Sequence, residues 1–236
     1  MTTHTMKRFE DELIELKEKI LSMGGMVEKA IRRSQKALTG HDLKRARKVI
    51  ERDRAINAME VEIDELASRL LALWQPAAGD LRFIIASIKI VTDLERIGDL
   101  AEGIADEMIR HQDEPLNHLD TLELMFDRAS RQLRMALDAF ARGDVDASLQ
   151  TIDHDKKIDA LFAALQRETL TYMMEDPRQI TRGLMQNAIG RALERIGDHS
   201  VNIAEMVIYM VQGHDVRHVD HDTAQAIVAG EIEDED

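Results

Sequence analysis

Two identical acidic hexapeptides are the residues of this sequence best placed to do chemistry. The letters LERIGD occupy residues 94–99 and again residues 193–198, so Glu95 and Asp99 recur as Glu194 and Asp198. Within a helix, side chains four positions apart lie on one face, where two like charges cost about 0.2–0.5 kcal/mol. A multivalent cation would remove that repulsion, and carboxylate oxygens are the ligands that hard cations prefer. The repeat therefore predicts a cation site in each half of a duplicated chain.

A second polar pair precedes each hexapeptide. In the second copy it is Asp155 and Asp159, and in the first it is Asp53 and Asn57. If the chain turns back on itself near residue 77 in the first copy and near residue 177 in the second, the upstream pair and the hexapeptide pair of each copy lie at one level on neighbouring antiparallel helices. Divalent or trivalent ions are expected, with Mg²⁺, Ca²⁺ or Mn²⁺ suiting oxygen ligands best and Fe or Zn possible where carboxylates bridge. The predicted metal ligands are Asp53, Asn57, Glu95, Asp99, Asp155, Asp159, Glu194 and Asp198.

Glycine lies inside both hexapeptides, as Gly98 and Gly197. In a helix interior it costs about 1 kcal/mol relative to alanine, so each glycine suggests that another group approaches the helix closely. A helical wheel places Glu95 and Asp99 opposite the apolar stripe of their helix, on the outer face of a bundle. Acids on an outer face also occur without metal, and the arginine inside each hexapeptide could neutralise them. A metal-independent acidic helical scaffold is therefore the alternative interpretation.

Six long helices are predicted to position these residues. Only 3% of residues are aromatic and only three are proline, a composition that favours helix over sheet. Apolar residues recur three and four positions apart over residues 9–38, 43–74, 81–110, 119–141, 145–174 and 180–212. Short connections make consecutive helices antiparallel, so the predicted fold is all-α, with two tandem three-helix bundles related by internal duplication. The expected divisions are residues 1–114, residues 115–213 and an acidic, loosely ordered tail, residues 214–236.

The formal net charge of −14 argues against a nucleic-acid-binding protein, which needs a basic face to neutralise phosphates. A local basic cluster, interpreted as a solvated helix face, consists of Lys29, Arg32, Arg33 and Lys36. The absence of cysteine excludes disulfides. A cytoplasmic protein is expected, since no apolar run approaches the ~18 residues of a membrane span and the first residues carry no signal-peptide core.

The tail contains histidines at positions 214, 218 and 221, among aspartates. Their spacing of four and three residues could suggest a metal site. A tail without apolar periodicity is more often loosely ordered, and its end, EIEDED, is expected to be solvated.

The sequence resembles the PhoU family. The resemblance rests on the doubled LERIGD, on MGGMV at residues 23–27, on YMMED at residues 172–176 and on RHV at residues 217–219. It covers essentially the whole chain and implies two three-helix bundles that bind metal clusters at outward-facing acidic motifs. These motifs match Glu95 with Asp99, Asp155 with Asp159, and Glu194 with Asp198. The fourth motif ends in Asn57, which implies a less charged first site.

The resemblance also implies a function. Family members regulate phosphate uptake and repress the phosphate-starvation response, as adaptors between the ATPase subunit of the phosphate ABC transporter and a sensor histidine kinase. A homodimer that reaches the membrane only through these partners is implied, with an indirect effect on transcription and no enzymatic activity. The competing class, a ferritin-like di-metal carboxylate enzyme, needs Glu-x-x-His pairs in the bundle core. None of the nine histidines has glutamate three positions earlier, and no GxxxxGK[ST] phosphate loop occurs.

Overall fold

The computed structural model describes the backbone of residues 2–116, 119–217, 219 and 221–231, and the side chains of all of these except residues 2–6 and 221. All regular structure within these ranges is helical, which confirms the predicted all-α fold. The helices are α1 (Thr2–Thr39), α2 (Leu43–Trp74), α3 (Ala78–Arg110), α4 (Asp120–Arg142), α5 (Val145–His154), α6 (Lys156–Glu175), α7 (Ile180–Gln212) and α8 (His221–Ala229), with a 3₁₀ turn at Pro177–Gln179.

Two helical bundles account for the packing. Helices α1, α2 and α3 pack on one another, and α4 and α7 pack on α5 and α6. The apolar stripe predicted for α3 is buried, with Ile90, Leu94 and Ile97 at 0% exposure. Matching caps begin α2 and α5, because the carboxylates of Asp42 and Asp144 each accept the backbone N–H three residues later at 2.9 Å. The repeated packing and the repeated caps agree with the predicted duplication.

One predicted helix is divided in two. A single helix is predicted over residues 145–174, but the structure has α5 and α6, which meet at Asp155. The backbone N–H of Asp155 bonds to the carbonyl of Ile152, three residues back, at 3.2 Å, where an α-helix would use the carbonyl four residues back. Asp155 keeps helical dihedrals, with φ −60° and ψ −42°, so α6 continues the direction of α5. The tightened turn therefore lies at a predicted metal ligand.

The two bundles join through equivalent helices. Helix α3 packs along α7, and α1 packs on α4. One apolar core runs through both bundles, from Leu16 in α1 to Val207 in α7. The predicted boundary at residues 114 and 115 lies in the connection between α3 and α4, and the division into domains stays a prediction. No helix in the described ranges is both long and apolar enough to cross a lipid bilayer.

A smaller apolar cluster holds part of the C-terminal segment. Val216, Ala224 and Ile227 are 1–4% exposed and pack with Leu149 of α5 and Ile208 of α7. The expectation of a loosely ordered tail is wrong for this part, because apolar residues spaced three apart give α8 a buried face. Residues 218, 220 and 232–236 and the side chain of residue 221 lie outside the described residues, and with them most of the histidine cluster and of the acidic end.

Candidate metal centre

The two hexapeptide glycines lie where neighbouring helices come close. A Cβ atom on Gly197 would lie 2.8 Å from Oδ1 of Asp155 and 3.1 Å from Cδ1 of Ile158. A Cβ atom on Gly98 would lie 3.3 Å from Oδ1 of Asp53. The close approach that the sequence predicts at both glycines is therefore present. In each bundle the approaching group includes the upstream aspartate on the neighbouring helix.

Four carboxylates converge in the second bundle. Burial raises the pKa of Asp155 to about 6, and the charges of Asp159 and Asp198 add to this effect. A hydrogen bond of 3.1 Å, donated by Nε2 of Gln132 to Oδ1 of Asp155, acts in the opposite direction. Burial is the main cause that raises the pKa of Glu194, and the charge of Asp159 adds to it. Burial is also the main cause at Asp198, where the charge of Glu194 raises the pKa further. The four predicted residues thus lie near enough to act on one another's pKa values, but no three of their carboxylate oxygens lie within 4.8 Å of one another, as three oxygens of the first bundle do.

The first bundle brings together Asp53, Asn57, Glu95 and Asp99. Asp53 is only 6% exposed, although the sequence predicts it on the outer surface. The absence of a side chain at Gly98 leaves room for it between α2 and α3. Burial is the main cause that raises the pKa of Asp53, and the charge of Asp99 raises it further. A hydrogen bond from Asn57 acts in the opposite direction. Burial and then Asp99 also raise the pKa of Glu95.

Glu102 is a site residue that the sequence analysis missed. One carboxylate oxygen from each of Asp53, Asp99 and Glu102 lies within 4.8 Å of the other two, close enough for one cation to contact all three. The available signal was its spacing, three positions after Asp99 on the same helix face. Alignment of the two copies hid it, because Val201 takes the equivalent position. Glu60 adds further negative charge near Asp99, so the first site is not the less charged one that asparagine at position 57 suggested.

Two buried oxygens of the first cluster lack hydrogen-bond partners among the described atoms. They are Oδ1 of Asp53 and Oδ1 of Asn57. Leaving a buried polar atom unpaired costs about 1–3 kcal/mol, so a bound cation would supply a missing partner. Arg96 neutralises the cluster in part, at 3.6 Å from Glu95 and 3.5 Å from Asp99, but its side chain is 56% exposed and such pairs contribute little. The chemistry of these residues fits a hard cation.

Comparison with known proteins assigns the chain to a family. The model of the PhoU domain matches it twice, over residues 20–108 and over residues 122–207. The chain belongs to the PhoU family. The first PhoU match lies within α1 to α3 and the second within α4 to α7, so each bundle corresponds to one PhoU domain.

Relatives and solved structures agree with this assignment. The phosphate-specific transport system accessory protein PhoU homolog of Pseudomonas putida is 46% identical over 222 residues, which are 93% of this chain and 86% of that protein. The phosphate-specific transport system accessory protein PhoU of Escherichia coli K12 is 39% identical over 237 residues, covering 99% and 98%. The crystal structure of PhoU from Pseudomonas aeruginosa has a TM-score of 0.84 and 44% identity, covering 87% of this chain and 100% of that chain. The phosphate transport system regulatory protein PhoU of Streptococcus pneumoniae has a TM-score of 0.83 and 32% identity, covering 88% and 99%.

Proposed function

We propose that this protein regulates phosphate transport as a metal-binding adaptor. A role in phosphate transport regulation is supported by relatives that are named accessory and regulatory proteins of phosphate transport systems. The adaptor would connect the ATPase subunit of the phosphate ABC transporter with a sensor histidine kinase, and it would repress uptake and the starvation response when phosphate is plentiful. This is the role that the family resemblance implies. We place it in the cytoplasm, at the membrane through its partners, and as a homodimer.

The observation that carries the metal-binding part is the convergence of acids from α2 and α3 in the first bundle, and the acids of the second bundle are electrostatically coupled across its helices in the same way. Asp53, Asp99 and Glu102 would hold a cation in the first bundle, with the unpaired oxygen of Asn57 beside them. A bound cation would supply positive charge between helices whose carboxylates repel each other. It would therefore tie α2 to α3 and stabilise one arrangement of the outer surface that partners contact. Because the relatives are named as accessory and regulatory proteins, we propose a non-enzymatic role.

Elemental analysis of untagged protein tests the metal sites. The variant Glu194→Gln with Asp198→Asn should lose the metal of the second bundle and keep that of the first. A matched control is Glu51→Gln with Glu65→Gln, which removes the same charge from exposed positions of α2. Unchanged metal content in the site variant, or an equal loss in the control, would favour the metal-independent scaffold.

Partner binding needs a separate assay. Pull-downs with the ATPase subunit and with the sensor kinase should retain this protein, more strongly with Mn²⁺ or Mg²⁺ than with a chelator. Cells that lack the protein should express phosphate-starvation genes in phosphate-rich medium. Normal repression in such cells would refute the proposed role, whatever the metal content of the purified protein.

A further inference from the structure

A concave groove lies between α1 and α2, behind the first acidic cluster. It encloses about 310 Å³. Its wall is apolar and includes Met26, Val49 and Ile56. Three basic side chains also line it, namely Lys29, Arg33 and Arg52. Two of the basic residues that the sequence presents as a solvated face thus belong to a cavity wall.

The three cations of this groove form no ion pair with any residue that the structure describes. Arg33 is half-buried, and its burial together with the charge of Arg52 lowers its pKa. The neighbouring Arg32 behaves differently, since it lies 3.6 Å from Glu28. One carboxylate, that of Asp53, also lines the groove, but it forms no ion pair within 4.0 Å with the arginines there. The three positive charges outnumber the single carboxylate in the groove, so a bound anion would reduce their mutual repulsion.

The second bundle shows that this basic set does not follow from the fold alone. The spacing of 102 residues that relates Asp53 to Asp155 places Met135 at the position of Arg33 and His154 at that of Arg52. Gln132 takes the position of Ala30, and its amide donates to Asp155 at 3.1 Å. The equivalent region therefore lacks both arginines, although Arg131 takes the position of Lys29 and the charges of Lys157, Arg128 and Arg131 act on His154. The pair formed by Arg33 and Arg52 is a property of the first bundle.

We propose that this groove binds the phosphate group of a small organic phosphate. Guanidinium groups match phosphate oxygens in pairs, and three positive charges suit a ligand with two or more negative charges. A volume of about 310 Å³ lies in the range of about 300–1,000 Å³ typical of small-molecule pockets, and it exceeds what one inorganic phosphate fills. The organic part would lie on the apolar wall formed by Met26 and Val49. This inference goes beyond the adaptor role and requires no metal at the acidic clusters.

Calorimetry with ADP as the probe tests this groove. ADP carries a diphosphate and a flat aromatic base whose faces can lie on an apolar wall. The titration is run with EDTA at 150 mM NaCl, so that neither bound metal nor low ionic strength contributes to the affinity. Arg33→Met and Arg52→His copy the residues of the second bundle and should each weaken binding at least tenfold. Arg47→Met removes the same charge from an exposed position of α2 outside the groove and should leave the affinity unchanged.

The outcomes separate the sources of the phosphate group. ADP binding that depends on Arg33 and exceeds the affinity for inorganic phosphate supports the proposal. Equal affinities for ADP and inorganic phosphate would refute the organic part, and equal losses in Arg33→Met and Arg47→Met would refute the groove. A third outcome is that the protein does not bind ADP but sediments with phosphatidylglycerol vesicles in a manner that depends on Arg33. The ligand would then be a membrane surface, and the proposal would be overturned. Absence of all binding would overturn it as well.

Discussion

Replacing Gly197 with alanine tests whether glycine is required for the acidic cluster. The new Cβ atom would lie 2.8 Å from Oδ1 of Asp155 and 3.1 Å from Cδ1 of Ile158, closer than atoms normally approach. One of these atoms must move, and movement of the Asp155 carboxylate changes a predicted metal ligand. Gly103 supplies a matched control, because it also lies inside a long helix but a Cβ atom there would meet nothing within 4 Å.

The two substitutions are expected to change the free energy of unfolding differently. Alanine gains about 1 kcal/mol over glycine in a helix interior, so Gly103→Ala should stabilise the protein by about that amount. At Gly197 the same gain is set against an overpacking cost of about 1–3 kcal/mol. Gly197→Ala should therefore be neutral or destabilising by up to about 2 kcal/mol. Displacement of Asp155 should weaken cation binding in the second bundle by about 10- to 100-fold, the range found when support for a ligand is lost.

Urea unfolding of metal-free protein and calorimetric titration with Mn²⁺ measure the two effects. Gly103→Ala should raise the urea midpoint of unfolding and leave the affinity for Mn²⁺ unchanged. Gly197→Ala should leave the urea midpoint unchanged or lower it, and it should weaken Mn²⁺ binding at the site of the second bundle. If Gly197→Ala matches Gly103→Ala in stability and binds Mn²⁺ like the wild type, the close contact has no role and the reasoning fails.

Three further predictions concern other parts of the chain. Burial, with a smaller effect of the charge of Asp215, raises the pKa of Glu205 from 4.5 to about 7. Between these pH values the native state binds more protons than the unfolded state, so the free energy of unfolding falls as the pH rises. In urea unfolding, Glu205→Gln should be as stable as the wild type near pH 4.5 and more stable by up to about 3 kcal/mol at pH 8. Asp144→Ala removes the cap of α5 and should cost about 1 kcal/mol, whereas Asp146→Ala, at an exposed position of the same turn, should cost less. Ile227→Ala, at a residue 4% exposed, should cost about 2 kcal/mol or more and speed amide exchange in α8, and unchanged exchange there would contradict its docking.

The sequence predicts the fold because its local signals agree with one another. Apolar spacing places Ile90, Leu94 and Ile97 on one side of α3, and the structure buries all three. Aspartate after a short polar break marks the start of α2 and of α5. The division at Asp155 carries no such signal, because neither glycine nor proline is present and the dihedrals remain helical. Helix α8 was missed because its apolar face spans only two turns.

The candidate site was predictable where the duplication repeats it and not elsewhere. Counting residues from each turn placed the four acids of the second bundle at one level, and the structure brings them together. Glu102 belongs to one copy only, so comparing the copies concealed it. The burial of Asp53 depends on the distance between two helices, which a helical wheel does not contain. For the same reason, the sequence shows Arg33 and Arg52 as unrelated charges on separate helices.

The contacts between the halves pair α3 with its counterpart α7, and α1 with its counterpart α4. Contact between like elements is what an isologous, twofold-symmetric interface produces. The single chain therefore has the architecture of a dimer whose subunits have been fused. Released from its partner, the first half would expose the apolar seam along α3, and it should pair with a second copy of itself through that seam. Fusion fixes the pairing and allows the two halves to diverge, so that one half has the arginines at positions 33 and 52 and the other has methionine and histidine in their place.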